Sequence, residues 1–133
     1  MDILLIDDET EFLSPLSKRL ARRGIRSRTA HSGESGLSLF REQPVKVVVL
    51  DLRMKGMDGF QTLAQLHGIQ PPPRVILLSG QACLATARRG IEAGAFDYLM
   101  KPVDLNDLIS TITQAHETAE PATTHPRLGP PRR

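Results

Sequence analysis

The chain contains no tryptophan, one tyrosine and only four phenylalanines in 133 residues. That leaves no aromatic platform on which nucleic-acid bases could stack. A single cysteine, Cys83, excludes an internal disulfide and agrees with a reducing compartment. No apolar run approaches the roughly 20 residues that cross a bilayer. The first residues pass straight into Ile3-Leu4-Leu5-Ile6 behind Asp2, without the basic stretch and longer apolar segment of a leader peptide. A cytoplasmic protein with no membrane partner is therefore expected. The four histidines, His31, His67, His116 and His125, are scattered and do not form a zinc spacing. The formal net charge is only +2, although the isoelectric point is near 9.0. Much of the basic excess lies in Lys18, Arg19, Arg22, Arg23, Arg26 and Arg28. Without a reading helix or interleaved aromatics we read this cluster as a solvated face, and expect no direct nucleic-acid binding.

What the chain does contain is alternation. Short apolar runs occur at Ile3 to Ile6, Ile25 to Ala30, Val45 to Leu50, Val75 to Leu78 and Phe96 to Met100. Between them, apolar residues recur at helical spacing. The stripes are Phe12-Leu13-Leu16-Leu20, Leu37-Phe40, Phe60-Leu63-Leu66, Leu84-Ala87-Ile91 and Leu105-Leu108-Ile109-Ile112. Five strands alternating with five helices predict right-handed crossovers and a parallel sheet covered on both faces. The first, third and fourth runs are almost wholly apolar, as buried central strands require. The second, Ile25-Arg26-Ser27-Arg28-Thr29-Ala30, is mostly polar and belongs at an edge; the fifth carries Asp97 and Tyr98 and suits the other edge. The expected architecture is flavodoxin-like α/β, a doubly wound sheet of strand order 2-1-3-4-5. Residues 1–119 form this domain, while 120–133, rich in proline and arginine with Leu128 as its one large apolar residue, reads as a flexible tail or linker.

Sheets of this kind carry their sites at the carboxyl ends of the strands. Those ends hold Asp7-Asp8, Asp51, Ser79 and Lys101-Pro102. Two like charges 4 Å apart cost about 4 kcal/mol at an effective dielectric near 20, so three carboxylates together call for cations. A divalent ion and the Lys101 ammonium balance them. Ligands that are all oxygen, with no histidine or cysteine nearby, indicate Mg²⁺. In such a crevice Asp51 can act as a nucleophile that forms an acyl phosphate. The metal, Lys101 and the Ser79 hydroxyl or nearby backbone N–H groups would each cover one phosphoryl oxygen.

Four segments, each at a strand end, carry a family resemblance. They are Ile6-Asp7-Asp8-Glu9, Asp51-Leu52-Arg53-Met54-Lys55-Gly56-Met57-Asp58-Gly59, Leu78-Ser79-Gly80 and Gly94-Ala95-Phe96-Asp97-Tyr98-Leu99-Met100-Lys101-Pro102. In these the chain resembles the receiver domains of bacterial two-component response regulators, which implies a CheY-like version of the flavodoxin-like fold. The resemblance implies that Asp51 is the phosphoacceptor, Asp8 a direct metal ligand and Asp7 one acting mainly through water. It implies the Arg53 backbone carbonyl as a further ligand, Ser79 and Lys101 as switch hydroxyl and phosphate-binding lysine, and Tyr98 as aromatic switch. A cis Lys101-Pro102 peptide is implied too. So is tuning of dephosphorylation by Arg53 and Gln81. Lys55 stands where the family usually has proline, and Ser79 where threonine is more frequent.

A signalling switch follows, rather than an enzyme acting on an external substrate. A sensor histidine kinase or histidine phosphotransfer protein would supply the phosphoryl group, and the surface of the fourth helix, fifth strand and fifth helix would change in response. Arg88, Arg89 and Tyr98 are placed on that face. The listener would be a downstream protein, an attached output domain or a second copy of the chain. The competing readings are a pseudo-receiver that works without phosphorylation and an aspartyl-nucleophile phosphatase. Against the phosphatase, Arg53 occupies the position two residues after Asp51 where such enzymes commonly carry an acid. Asp58 and Asp104 are read as helix starts and Asp97 as a surface charge.

Overall fold

The computed structural model describes residues 1–53, 58–80 and 84–119. The elements run β1 (Asp2–Ile6), α1 (Thr10–Ala21), β2 (Arg26–Ala30), α2 (Gly33–Glu42), β3 (Val47–Asp51), α3 (Gly59–His67), β4 (Arg74–Ser79), α4 (Leu84–Glu92), β5 (Asp97–Met100) and α5 (Leu105–Thr118). All five strands are parallel, in the order β2-β1-β3-β4-β5. This is the expected doubly wound topology, with the polar β2 and the half-buried β5 at its edges.

Alternate residues of each strand feed opposite faces, as strand geometry demands. Leu4, Ile6, Val48, Leu50, Val75 and Leu77 pack with Leu37, Phe40, Leu63 and Leu66 of α2 and α3. Ile3, Leu5, Val47, Val49, Ile76 and Leu78 pack with Leu13, Leu16 and Leu20 of α1 and Leu108, Ile112 and Ala115 of α5. Asp58 and Asp104 do start helices. Each accepts a hydrogen bond from the backbone N–H three residues on, and Asp58 forms a reciprocal capping box with Gln61.

One expected stripe is corrected. Leu84 and Ile91 of α4 do not face the core: they are 74% and 47% exposed. Among the described residues of α4 only Gly90 is buried, and a Cβ there would collide with the Leu77 side chain. The close approach needed at glycine turns the helix so that its larger apolar groups point outward. The basic cluster also divides. Arg26 pairs with Asp2 at 2.9 Å, Arg28 donates to the carbonyls of Leu39 and Gln43 that end α2, and Arg23 donates to Asn106. Asp97, expected as a surface charge, is half-buried and accepts the Tyr98 backbone N–H at 2.7 Å.

Candidate functional site

Parallel register brings the strand ends level. Ile6 pairs with Leu50, Asp51 with Leu78, and Ser79 with Met100. Asp7 therefore leaves β1 beside the end of β3, where Asp51 is the last strand residue, and Lys101 follows β5 beside Ser79. Asp7, Asp8 and Asp51 each offer a carboxylate oxygen within 4.8 Å of the others. Asp7 is 1% and Asp51 4% exposed, so two of these charges are almost out of water.

Lys101 enters from the far side of the sheet. Its Nζ donates to Asp7 Oδ2 at 2.7 Å and to Glu9 Oε1 at 2.7 Å, and stands 3.8 Å from Asp51 Oδ2. The ammonium also lies 4.4 Å from the centroid of the Phe12 ring, within cation–π range. Asp7 Oδ1 accepts the Glu9 backbone N–H at 2.9 Å, so both Asp7 oxygens are engaged.

Burial pushes the Asp51 carboxyl up from 3.8 to about 7, and the Asp7 charge adds to the rise. The Lys101 charge and the Arg53 backbone N–H, which donates to Asp51 Oδ1 at 3.3 Å, oppose it. For Lys101, burial lowers the pKa but the hydrogen bonds to Asp7 and Glu9 outweigh it, and the net value is raised. An ion-free crevice thus holds a carboxylate that is costly to ionise beside an ammonium that stays charged. Three converging carboxylates without histidine or cysteine fit a hard divalent cation.

The loop leaving β3 is held by backbone. Leu52 N–H donates to Leu78 O at 3.0 Å, and Gly59 N–H returns to Leu52 O at 3.1 Å. A Cβ on Gly59 would strike the Leu52 backbone and crowd the Asp51 carbonyl. Gly59, the first residue of α3, thus also permits the close approach that seats Asp51.

Ser79 is buried at the end of β4, and its carbonyl accepts the Lys101 N–H at 2.8 Å. The Lys101-Pro102 peptide is cis. Tyr98 is half-buried against the α2–α3 side of the core. The Arg53 side chain is exposed. Arg89 is exposed on α4, with its guanidinium over the Phe60 ring of α3 at 3.9 Å. Gln81, Lys55, Cys83 and the tail from residue 120 fall outside the described residues. Two partners of Lys101 escaped sequence reasoning. Glu9 stood inside a quoted motif without a role, and Phe12 counted as one of a helical stripe; each lies about ninety residues from the lysine it meets.

The sequence matches the response regulator receiver domain family over residues 3–113. The chain is a response regulator receiver domain. Relatives of this receiver domain include the transcriptional regulatory protein GlrR of Escherichia coli, 38% identical over 91% of the chain. That match covers 27% of GlrR, so the receiver domain spans about a quarter of the relative. Among solved structures, the receiver domain of NtrX from Brucella abortus superposes with a TM-score of 0.83 at 31% identity, covering 89% of this chain and 100% of that one. A response regulator from Burkholderia pseudomallei, solved with a phosphorylated aspartic acid, a calcium ion and citrate, superposes with a TM-score of 0.77 at 31% identity, covering 88% and 72%. No helix among the described residues of the receiver domain is long and apolar enough to cross a membrane.

Proposed function

We propose that this receiver domain is a phosphorylation-dependent switch whose acceptor is Asp51. The observation that carries the reading is the juxtaposition of the Asp7, Asp8 and Asp51 carboxylates with Lys101 Nζ, 3.8 Å from Asp51 Oδ2. An Asp51 oxygen attacks the phosphorus of a phosphohistidine on a sensor kinase or phosphotransfer protein. The new O–P bond forms as the N–P bond breaks, and the departing imidazole nitrogen keeps the electron pair. Lys101 neutralises one phosphoryl oxygen, and the buried Ser79 hydroxyl at the neighbouring strand end moves to another. Asp7, Asp8, Asp51 and the Arg53 carbonyl would hold Mg²⁺, which when bound favours ionised Asp51 and offsets charge on the transferring group. Water then attacks the acyl phosphate and resets the switch, at a rate tuned by Arg53 and Gln81. The solved relative with a phosphorylated aspartic acid and a calcium ion supports this chemistry by likeness.

The phosphoryl group draws Ser79 and Lys101 toward Asp51, and Tyr98 turns into the room this leaves. The face so altered is that of α4, β5 and α5, where Leu84, Ile91 and Met100 stand exposed. A downstream protein, an attached output domain or a second copy would read it, in the cytoplasm, with residues 120–133 as the linker. Intact-mass spectrometry after treatment with acetyl phosphate and Mg²⁺ tests the reading. A single phosphoryl adduct that disappears in Asp51→Asn supports it. No adduct on the wild type, or an adduct that survives Asp51→Asn, overturns it in favour of a phosphorylation-independent module.

A further inference from the structure

Lys101 is held by a carboxylate that lies outside the acid cluster. Asp7 Oδ2, at 2.7 Å from Nζ, belongs to the group of oxygens able to bind a cation. A cation on that oxygen and an ammonium beside it repel one another, so Asp7 cannot serve both equally. Glu9 Oε1, also at 2.7 Å, is free of this conflict because Glu9 is not in the cluster. Glu9 sits at the start of α1 yet makes no side-chain cap for it. Its carboxylate reaches across to Lys101 instead. One turn on, the Phe12 ring supports the same ammonium at 4.4 Å.

We infer that Glu9, with Phe12 beneath, is a positioning residue for Lys101: it keeps the ammonium in the crevice while Asp7 is released to a divalent cation. An ammonium has three donors. With one on Glu9 and the one on Asp7 given up, two remain for a group arriving at Asp51. Without Glu9, Lys101 depends on Asp7 and competes directly with the cation. The first turn of α1 thereby supplies the second acid that lets one lysine and one divalent ion share a site. This inference rests on the roles proposed above for Lys101 and the acid cluster.

The test is a double-mutant cycle in the full chain, read by calorimetric titration with Mg²⁺ and, separately, by the rate of phosphorylation from acetyl phosphate. Glu9→Gln keeps an oxygen at the same reach without its charge. Glu9 is 63% exposed in its side chain, so the effect is modest. We expect Mg²⁺ affinity to fall roughly three- to five-fold, the scale of a partly solvated ion pair. Glu9→Asp should restore part of it. In a Lys101→Met background the Glu9→Gln effect should vanish, because nothing is left to compete for Asp7. A loss of equal size with and without Lys101 means Glu9 acts only through its general field, and overturns the inference. So does an unchanged affinity in Glu9→Gln. If the wild type binds Mg²⁺ and takes up a phosphoryl group while either of these results appears, the inference fails and the proposed function stands. If the wild type takes up none, it is the proposed function that fails.

Discussion

Helices α4 and α5 pack on opposite faces of β4, yet are attached to the body in opposite ways. α5 buries Leu108, Thr111, Ile112 and Ala115, and Asp104 caps its start. Its ends are tied as well: Arg23 donates to Asn106, and Arg74 to the Thr118 carbonyl. Among the described residues of α4 only Gly90 is buried, and the Arg89 guanidinium lies on the Phe60 ring. Little apolar area is lost when α4 shifts, whereas displacing α5 opens the core. Under the switch proposed above, a receiver that holds its scaffold while one surface changes would be served by that inequality. Amide hydrogen exchange in α4 should therefore be faster than in α5, with the global unfolding free energy reached only by α5.

The largest effect expected is on the anchored helix. Ile112→Ala empties a fully buried site and should cost about 2–5 kcal/mol in denaturant unfolding. A loss as small as a surface change would break the comparison.

A second test concerns Asp51, at the end of the strand next to β4. In the ion-free protein its carboxyl titrates near 7, above the 3.8 of an ordinary aspartate. Between those values the folded chain binds more protons than the unfolded one, so stability falls as pH rises. The stabilisation is complete below about pH 4 and is lost through about pH 7, on the order of 4 kcal/mol. Denaturant curves below and above pH 7 check it. Asp51→Asn should flatten the slope, and Mg²⁺ should restore stability on the alkaline side. A slope of the opposite sign would mean that Lys101 already outweighs burial.

Gly90→Val comes next. Its side chain would enter the space held by Leu77 and push α4 from the sheet, at about 1–3 kcal/mol. Exchange should then quicken in α4 and leave α5 unchanged; equal quickening in both would show that the two helices move as one. The smallest effect belongs to Leu84→Ser with Ile91→Ser. These exposed positions should each shift stability by no more than about 0.5 kcal/mol. A much larger loss would mean that α4 is packed more deeply than its exposure shows.

Amino-acid order alone determined the sheet. Val47-Val48-Val49-Leu50 has no polar residue to turn toward water, so it lies between covered faces, while Arg26-Ser27-Arg28 cannot be buried and lies at an edge. The positions of Asp7, Asp51, Ser79 and Lys101 at strand ends were legible for the same reason. A residue that follows an apolar strand in a parallel α/β chain has one place to go. The orientation of α4 was not legible, because Leu84, Ala87 and Ile91 keep a helical period whichever way the helix is turned. Gly90 chooses the face through a close approach to Leu77 that exists only once the sheet is assembled. Nor could the sequence join Glu9 to Lys101. Side chains far apart in sequence meet only where tertiary structure sets them, and it is the segment leaving β5, passing beside the first turns of α1, that brings this acid and its lysine to hydrogen-bond distance.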